Sequence, residues 1–253
     1  MNGSASIAGV RIDALSFNDV VDRIVARARA NGAPGYIVTP NTHHITMLQS
    51  DPKFRRIYEE AFLAVPDGVP LLWAGKLLGE PLRGRVNGTD LFEALCAQAA
   101  RYDLRVFLLG GREGAAEAAR AALEARNPGL LISGTYCPPI GFEHDPAESD
   151  RILAAIAAAE PHLLFVGLGA PKQEYWMYDN RASLRVPVSL GIGVSFELVG
   201  GLVRRAPVWM QRSGLEWLFR LLSEPKRLWK RYFVCNAVFC ALVVRQLVRE
   251  ARR

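Results

Sequence analysis

The sequence predicts an α/β fold, a parallel sheet with helices on both faces followed by a basic helical appendage, and three observations carry that expectation. Short apolar runs ending in Gly, Pro or Asn alternate with longer segments of helical periodicity. Glycines and small polar residues cluster just after the apolar runs, on the edge where a parallel sheet gathers its ligands. After Arg204 the alternation stops, and only helical patterns rich in Trp, Arg and Leu remain.

Taken in order, strands are expected at 36–39, 62–65, 105–109, 130–135, 162–167 and 186–191, because each is a short apolar run closed by a turn residue. Helices are expected at 42–60, 69–78, 89–102, 114–126, 146–159 and 172–180. Pro128-Gly129 closes one of them, and Asp145-Pro146 opens the next in cap-then-proline order. Residues 207–222 and 225–253 read as helices with no strand between them. The expected organisation is an α/β catalytic domain over 1–202 and a helical, membrane-associating appendage over 203–253.

Bulk properties narrow the class. The chain of 253 residues, half of them hydrophobic, is enough for one substantial core. Its first eleven residues hold no apolar run behind a positive flank, so neither a secretory signal nor an anchor is expected there, and the catalytic body is expected in the cytoplasm. The unbroken apolar stretches fall short of the ~20 residues that cross a bilayer, so no spanning helix is expected. Four cysteines, Cys96, Cys137, Cys235 and Cys240, form no CxxC pair and fit neither a disulfide framework nor a zinc site. The net charge is +6, yet from Arg204 onward twelve Lys or Arg face only Glu216, Glu224 and Glu250. Positive charge confined to one aromatic-rich segment marks a partner surface; the expected partner is an anionic membrane and not nucleic acid, with a homo-oligomer left open.

Several runs then carry a resemblance. Thr39-Pro40-Asn41, Val65-Pro66-Asp67-Gly68, Val86-Asn87-Gly88-Thr89-Asp90, Val106-Phe107-Leu108-Leu109-Gly110-Gly111, Gly167-Leu168-Gly169-Ala170-Pro171-Lys172-Gln173-Glu174 and Arg205-Ala206-Pro207 stand in one order, continued by Gly214-Leu215-Glu216-Trp217, Arg220 and Glu224-Pro225-Lys226-Arg227. In that order and spacing the chain resembles the WecG/TagA/CpsF glycosyltransferases over roughly residues 8 to 233. The resemblance implies a Rossmann-like core and an inverting transfer from a UDP-sugar (N-acetylmannosamine, its uronic acid or glucose). It also implies a polyprenyl-diphosphate-linked acceptor in cell-envelope or exopolysaccharide synthesis, with no cofactor and no essential metal. Two positions depart from the family pattern: Glu197 follows Phe196 where Asp is common, and Asn87 stands where a small residue or Thr is common.

The candidate roles follow, each with its plainer reading. Asp67 is the candidate base, because an attacking hydroxyl must lose its proton to a nearby carboxylate; the plainer reading is an N-cap for the helix from 69. Thr39 and Asn41 offer a hydroxyl and an amide to the same edge, or cap the helix from 42. His43 and His44, about 100° apart on a helix, do not chelate one ion readily. With no Asp-x-Asp run, the donor diphosphate would be met by N–H groups at Gly110-Gly111 and Gly169 and by Lys172 and Gln173, with Glu197 near the nucleoside; each glycine pair is otherwise a tight turn. Arg204, Arg205, Arg212, Arg220, Arg227 and Arg231 would grip the acceptor diphosphate, or form a solvated basic face. Residues 228–248 read as a helix lying in a membrane interface, or as a packed or oligomer-forming helix. Two other classes compete: an NAD(P)-dependent oxidoreductase, which lacks GxGxxG and an acid after residue 135, and a non-catalytic membrane-associated scaffold.

Overall fold

A computed structural model describes the backbone of residues 3–252, and their side chains apart from those at positions 212, 227, 230 and 231. In chain order the elements are β1 (Ser4–Ile7), β2 (Val10–Asp13), α1 (Phe17–Arg29), β3 (Gly35–Val38), α2 (Thr42–Met47), α3 (Pro52–Glu59), β4 (Leu63–Ala64), α4 (Val69–Leu77) and α5 (Gly88–Arg101). They continue as β5 (Arg105–Gly110), α6 (Ala115–Arg126), β6 (Leu131–Tyr136), α7 (Pro146–Ala159), β7 (Leu163–Gly167), α8 (Lys172–Asp179), β8 (Val188–Gly191), α9 (Ser195–Val199), α10 (Val208–Arg212), α11 (Glu216–Ser223) and α12 (Pro225–Glu250). A 3-10 turn, Phe142–His144, precedes α7. The chain divides into two compact units: Met1–Ser16, Thr39–Asn87 and Arg205–Arg253 form the first, Phe17–Val38 and Gly88–Arg204 the second.

The second unit is the α/β body. Its strands lie side by side in the order β3, β8, β7, β5, β6, all parallel. Both faces are covered, so the strands are continuous apolar runs: Tyr36–Val38, Val106–Leu109 and Leu163–Val166 are buried throughout. The aromatic centre of the core is Phe92 of α5, 4.6 Å from the Phe165 ring and 5.6 Å from the Phe196 ring. From β5 the chain crosses to β6 on one side, and from β7 it crosses to β8 on the other, so the β5 and β7 tips flank the switch point where such sheets open a crevice. Close approach there requires glycine: Gly110 has φ 97°, and a Cβ on it would lie 2.9 Å from the Gly167 carbonyl carbon.

The first unit contains what the sequence pattern did not reveal. β1 and β2 pair antiparallel through Ala8-Gly9, both at positive φ (51° and 74°), the geometry of a two-residue hairpin turn. Ala8 pays a steric penalty in that turn and so does not advertise it in the sequence. The single helix expected over 42–60 is broken into α2 and α3, because Asp51 accepts the Phe54 N–H and Pro52 cannot continue the preceding turn. The helix expected over 207–222 is likewise two, α10 and α11, separated by Gly214 at φ 74°.

The C-terminal segment groups with residues 1–16 and 39–87 rather than by itself. Leu228, Phe239 and Val243 of α12 are buried along one stripe, and the same face bonds to α2 and the hairpin. Thr42 donates to Asn236 Oδ1 at 2.7 Å, Gln246 donates to the Ser6 carbonyl at 2.8 Å, and Ala8 N–H donates to Gln246 Oε1 at 2.7 Å. The opposite face leaves Trp229, Phe233 and Val244 at 51%, 65% and 57% exposure. Contrary to the expectation from unbroken runs, Tyr232–Glu250 is long and apolar enough, by length and composition, to cross a membrane; a mean hydropathy tolerates the polar residues that interrupt a run.

Replacing Phe92 with Ala opens a cavity among three aromatic rings and is expected to destabilise the protein by about 3–5 kcal/mol, measured by denaturant unfolding. Burial, with Glu93 adding to it, pushes the Cys96 thiol far up, which keeps it protonated and inert. In mass spectrometry after iodoacetamide treatment at neutral pH, Cys96 should stay unmodified until the protein is unfolded, while exposed Cys240 reacts in the native state.

Candidate active site

Asp67 sits at a junction of three chain segments. Its backbone N–H donates to the Pro40 carbonyl at 2.9 Å, and Val86 N–H donates to the Pro66 carbonyl at 2.8 Å. The N-cap of α4 is Gly68 at φ 147°. Asn87 Nδ2 approaches its Oδ1 at 3.4 Å. Asp67 lines a cavity of about 350 Å³, all of whose walls belong to the first unit. Its polar wall also carries Asn41, Thr42, Arg85, Asn87 and Arg220; Val69, Trp73, Trp217 and Tyr232 make the apolar wall. Trp217 and Tyr232 pack at 5.7 Å between ring centroids, which ties α11 to α12 at the rim.

Of the three residues expected to be catalytic, Asn41 and Asp67 share the cavity. Asn41 is also the N-cap of α2, accepting from the His43 and His44 N–H groups at 3.0 and 3.2 Å, so its carboxamide oxygen is held while its NH2 has other directions. Thr39 is buried and is not part of the cavity lining. His44 is also buried, with Nδ1 2.8 Å from the Tyr58 hydroxyl, a packing role.

The tail arginines separate. Arg220 lines the cavity. Arg205 donates through Nη2 to Asn87 Oδ1 and through Nε to Glu216 Oε1, each at 3.4 Å. Glu216, 8% exposed, is faced on its other oxygen by Arg85 at 3.6 Å. Arg204 is exposed and belongs to the second unit. The side chains of Arg212, Arg227 and Arg231 lie outside the described residues. Arg85 and Glu216 are the functional candidates that sequence reasoning passed over. Arg85 stands two residues before the Asn87-Gly88-Thr89-Asp90 run, and Glu216 lies inside the Gly214-Leu215-Glu216-Trp217 run, but neither position reveals by itself that the two charges meet.

The residues expected to hold the nucleotide all lie in the second unit. Gly111 N–H donates to the Gly167 carbonyl at 2.9 Å, and Arg112 N–H donates to Glu197 Oε1 at 3.0 Å, so these two amides bond within the protein. Glu197 is thereby a buried anchor for the loop after β5. Gln173 is a second anchor: its Oε1 accepts from Gly193 N–H at 3.0 Å, and its Nε2 donates to Glu174 Oε1 at 2.9 Å. Gly169, at φ 76°, faces open space where a Cβ would point. Lys172 ion-pairs with Glu143, holding that carboxyl below its usual range. Among the described residues no three His, Cys, Asp or Glu side chains converge as a metal site would require.

Comparison with known proteins gives this geometry its context. The sequence profile of the glycosyl transferase WecG/TagA/CpsF family matches residues 5–253. A Bacillus spizizenii protein named N-acetylglucosaminyldiphosphoundecaprenol N-acetyl-beta-D-mannosaminyltransferase is 34% identical over 196 residues, covering 78% of this chain and 74% of its own. A Staphylococcus aureus protein of the same name is 29% identical over 225 residues, covering 88% of this chain and 85% of its own. A profile that spans nearly the whole chain leaves one conclusion: the chain belongs to the WecG/TagA/CpsF family of glycosyltransferases.

Proposed function

We propose that the protein moves N-acetylmannosamine from its UDP derivative to a polyprenyl-diphosphate-linked N-acetylglucosamine, with inversion at the anomeric carbon and Asp67 as the base. The observation that carries this reading is a strand-tip carboxylate in a cavity it shares with two guanidinium groups. The names of the related enzymes support this choice of sugar and acceptor over the uronic acid or glucose. In an inverting displacement the acceptor hydroxyl attacks the face opposite the leaving UDP, and one carboxylate in reach of that hydroxyl takes its proton. Arg85 and Arg220 suit a diphosphate, because a guanidinium presents paired donors in a plane. The glycine tips of β5 and β7 flank the switch point at which nucleotides enter such sheets, and they are the proposed place for UDP. Protein donors, in place of a divalent ion, are proposed to meet the charge on the leaving diphosphate, which is the basis for proposing metal-independent transfer.

The segment 203–253 is proposed to bring the enzyme to the cytoplasmic face of the membrane as a peripheral protein. Its support is the exposed apolar face of α12, with Arg245 and Arg249 near its C-terminal end and Lys226 near its start. A helix with one face hydrogen-bonded to its own unit and the other apolar lies along an interface more readily than it spans one. Each cation near an anionic surface adds about 1 kcal/mol.

Asp67→Asn should fold normally and lose turnover by about 10²- to 10⁴-fold with UDP-N-acetylmannosamine and a short-chain prenyl-diphosphate acceptor; full activity would remove the assignment. In sedimentation with vesicles containing phosphatidylglycerol, the wild-type chain should pellet and the Trp229→Glu/Phe233→Glu variant should remain largely in solution. Equal pelleting would refute the interfacial role of α12.

A further inference from the structure

We propose that Trp73 of α4 and Trp217 of α11 are prenyl-binding residues, and that the first isoprene units of the acceptor lipid leave the cavity past these two rings. The inference rests on the acceptor being a prenyl diphosphate, and every residue in it belongs to the first unit. Both rings line the cavity, yet Trp73 is 65% exposed and Trp217 42%. Large apolar groups exposed at a cavity rim are costly in water, and an apolar ligand relieves that cost. The two walls are held together by a close contact. Gly214, at φ 74° in the turn before α11, has no room for a side chain, since a Cβ there would lie 2.7 Å from Val69 Cγ2 at the start of α4.

Three arrangements favour a hydrocarbon chain over a sugar as the occupant of this wall. On α4 the apolar stripe continues beyond the cavity: Val69, Pro70 and Trp73 line it, and Leu77, one turn after Trp73 on the same helix face, is 65% exposed. A sugar ring stacks on a single aromatic face, whereas a stripe that runs out of the cavity along a helix suits a flexible tail. On α11, Arg220 follows Trp217 by three residues, which sets a guanidinium beside an indole on one helix face, and both line the cavity. A prenyl diphosphate has the same order, an anion joined directly to an allylic hydrocarbon, so the pair matches the junction in the ligand. On α12, Tyr232 lines the cavity, while Trp229 and Phe233, at helical spacing on the same face, are 51% and 65% exposed. The cavity rim is therefore continuous with the apolar surface proposed to meet the membrane, the side from which a bilayer-held chain arrives.

The test compares two acceptors in solution without vesicles: N-acetylglucosamine joined through diphosphate to a dimethylallyl group, and the same sugar joined to the longer farnesyl group. For the wild type, KM for the acceptor should be at least about tenfold lower with farnesyl, because the added hydrocarbon leaves water. Trp73→Ala/Leu77→Ala and Trp217→Ala should each remove most of that difference with KM for the UDP-sugar unchanged, and Trp73→Phe should retain most of it. Trp73 and Leu77 are exposed, so circular dichroism and thermal unfolding of their double variant should match the wild type. A chain-length preference absent from the wild type, or intact in either alanine variant, overturns the proposal. An equal rise in KM for both acceptors also overturns it and assigns the rings to the sugar. If the wild type transfers no sugar to either acceptor, it is the functional reading that fails, and calorimetric titration with farnesyl diphosphate alone decides the site. Binding at least about tenfold weaker to Trp73→Ala/Leu77→Ala than to the wild type sustains it; equal binding, or none to the wild type, ends it.

Discussion

Three loops meet at one carboxylate, and the rest of the cavity depends on that junction. Residues 39–41, 65–68 and 85–87 are far apart in sequence, yet two backbone hydrogen bonds, Asp67 to Pro40 and Val86 to Pro66, fix them against one another. Backbone bonds are well suited to this because they place a loop without using the side chains that do chemistry. Pro66 removes a donor and Gly68 takes a conformation closed to other residues, so the chain turns sharply on either side of Asp67 and the carboxylate is left pointing into the cavity.

The electrostatic design of the cavity follows from burial. A buried carboxylate persists only when paired, and Glu216 is paired twice; the same pairing fixes two arginines that would otherwise be long, mobile side chains. Asn41 shows a similar economy, capping α2 with its oxygen while lining the cavity. In the second unit the loops after β5, β7 and β8 are held by buried Glu197 and Gln173, which bond to backbone N–H groups. Rigid loops at a switch point favour a ligand that arrives with its own acceptors, since little ordering is left to be done on binding.

The division of the chain gives the C-terminal segment a structural as well as a surface role. Asn236 and Gln246 of α12 bond to α2 and to the hairpin, and Trp217 and Tyr232 close the cavity rim. The segment is thus part of the unit that holds Asp67, while its other face stays apolar and exposed. A surface of this kind is costly in water, and an amphiphilic surface is where it would be relieved.

The sequence by itself determined the parallel strands, their glycine tips and the membership of Asp67 and Asn41 in one edge, because apolar period and turn chemistry are local properties that each segment carries alone. It did not reveal the β1–β2 hairpin, whose turn holds an Ala at positive φ, or the break at Asp51-Pro52, where helical period persists across the capped join. Charge partners were the least legible. The Arg85–Glu216–Arg205 cluster joins residues 131 positions apart at its extremes, and only the packing of α11 beside the 85–87 segment brings them within 4 Å.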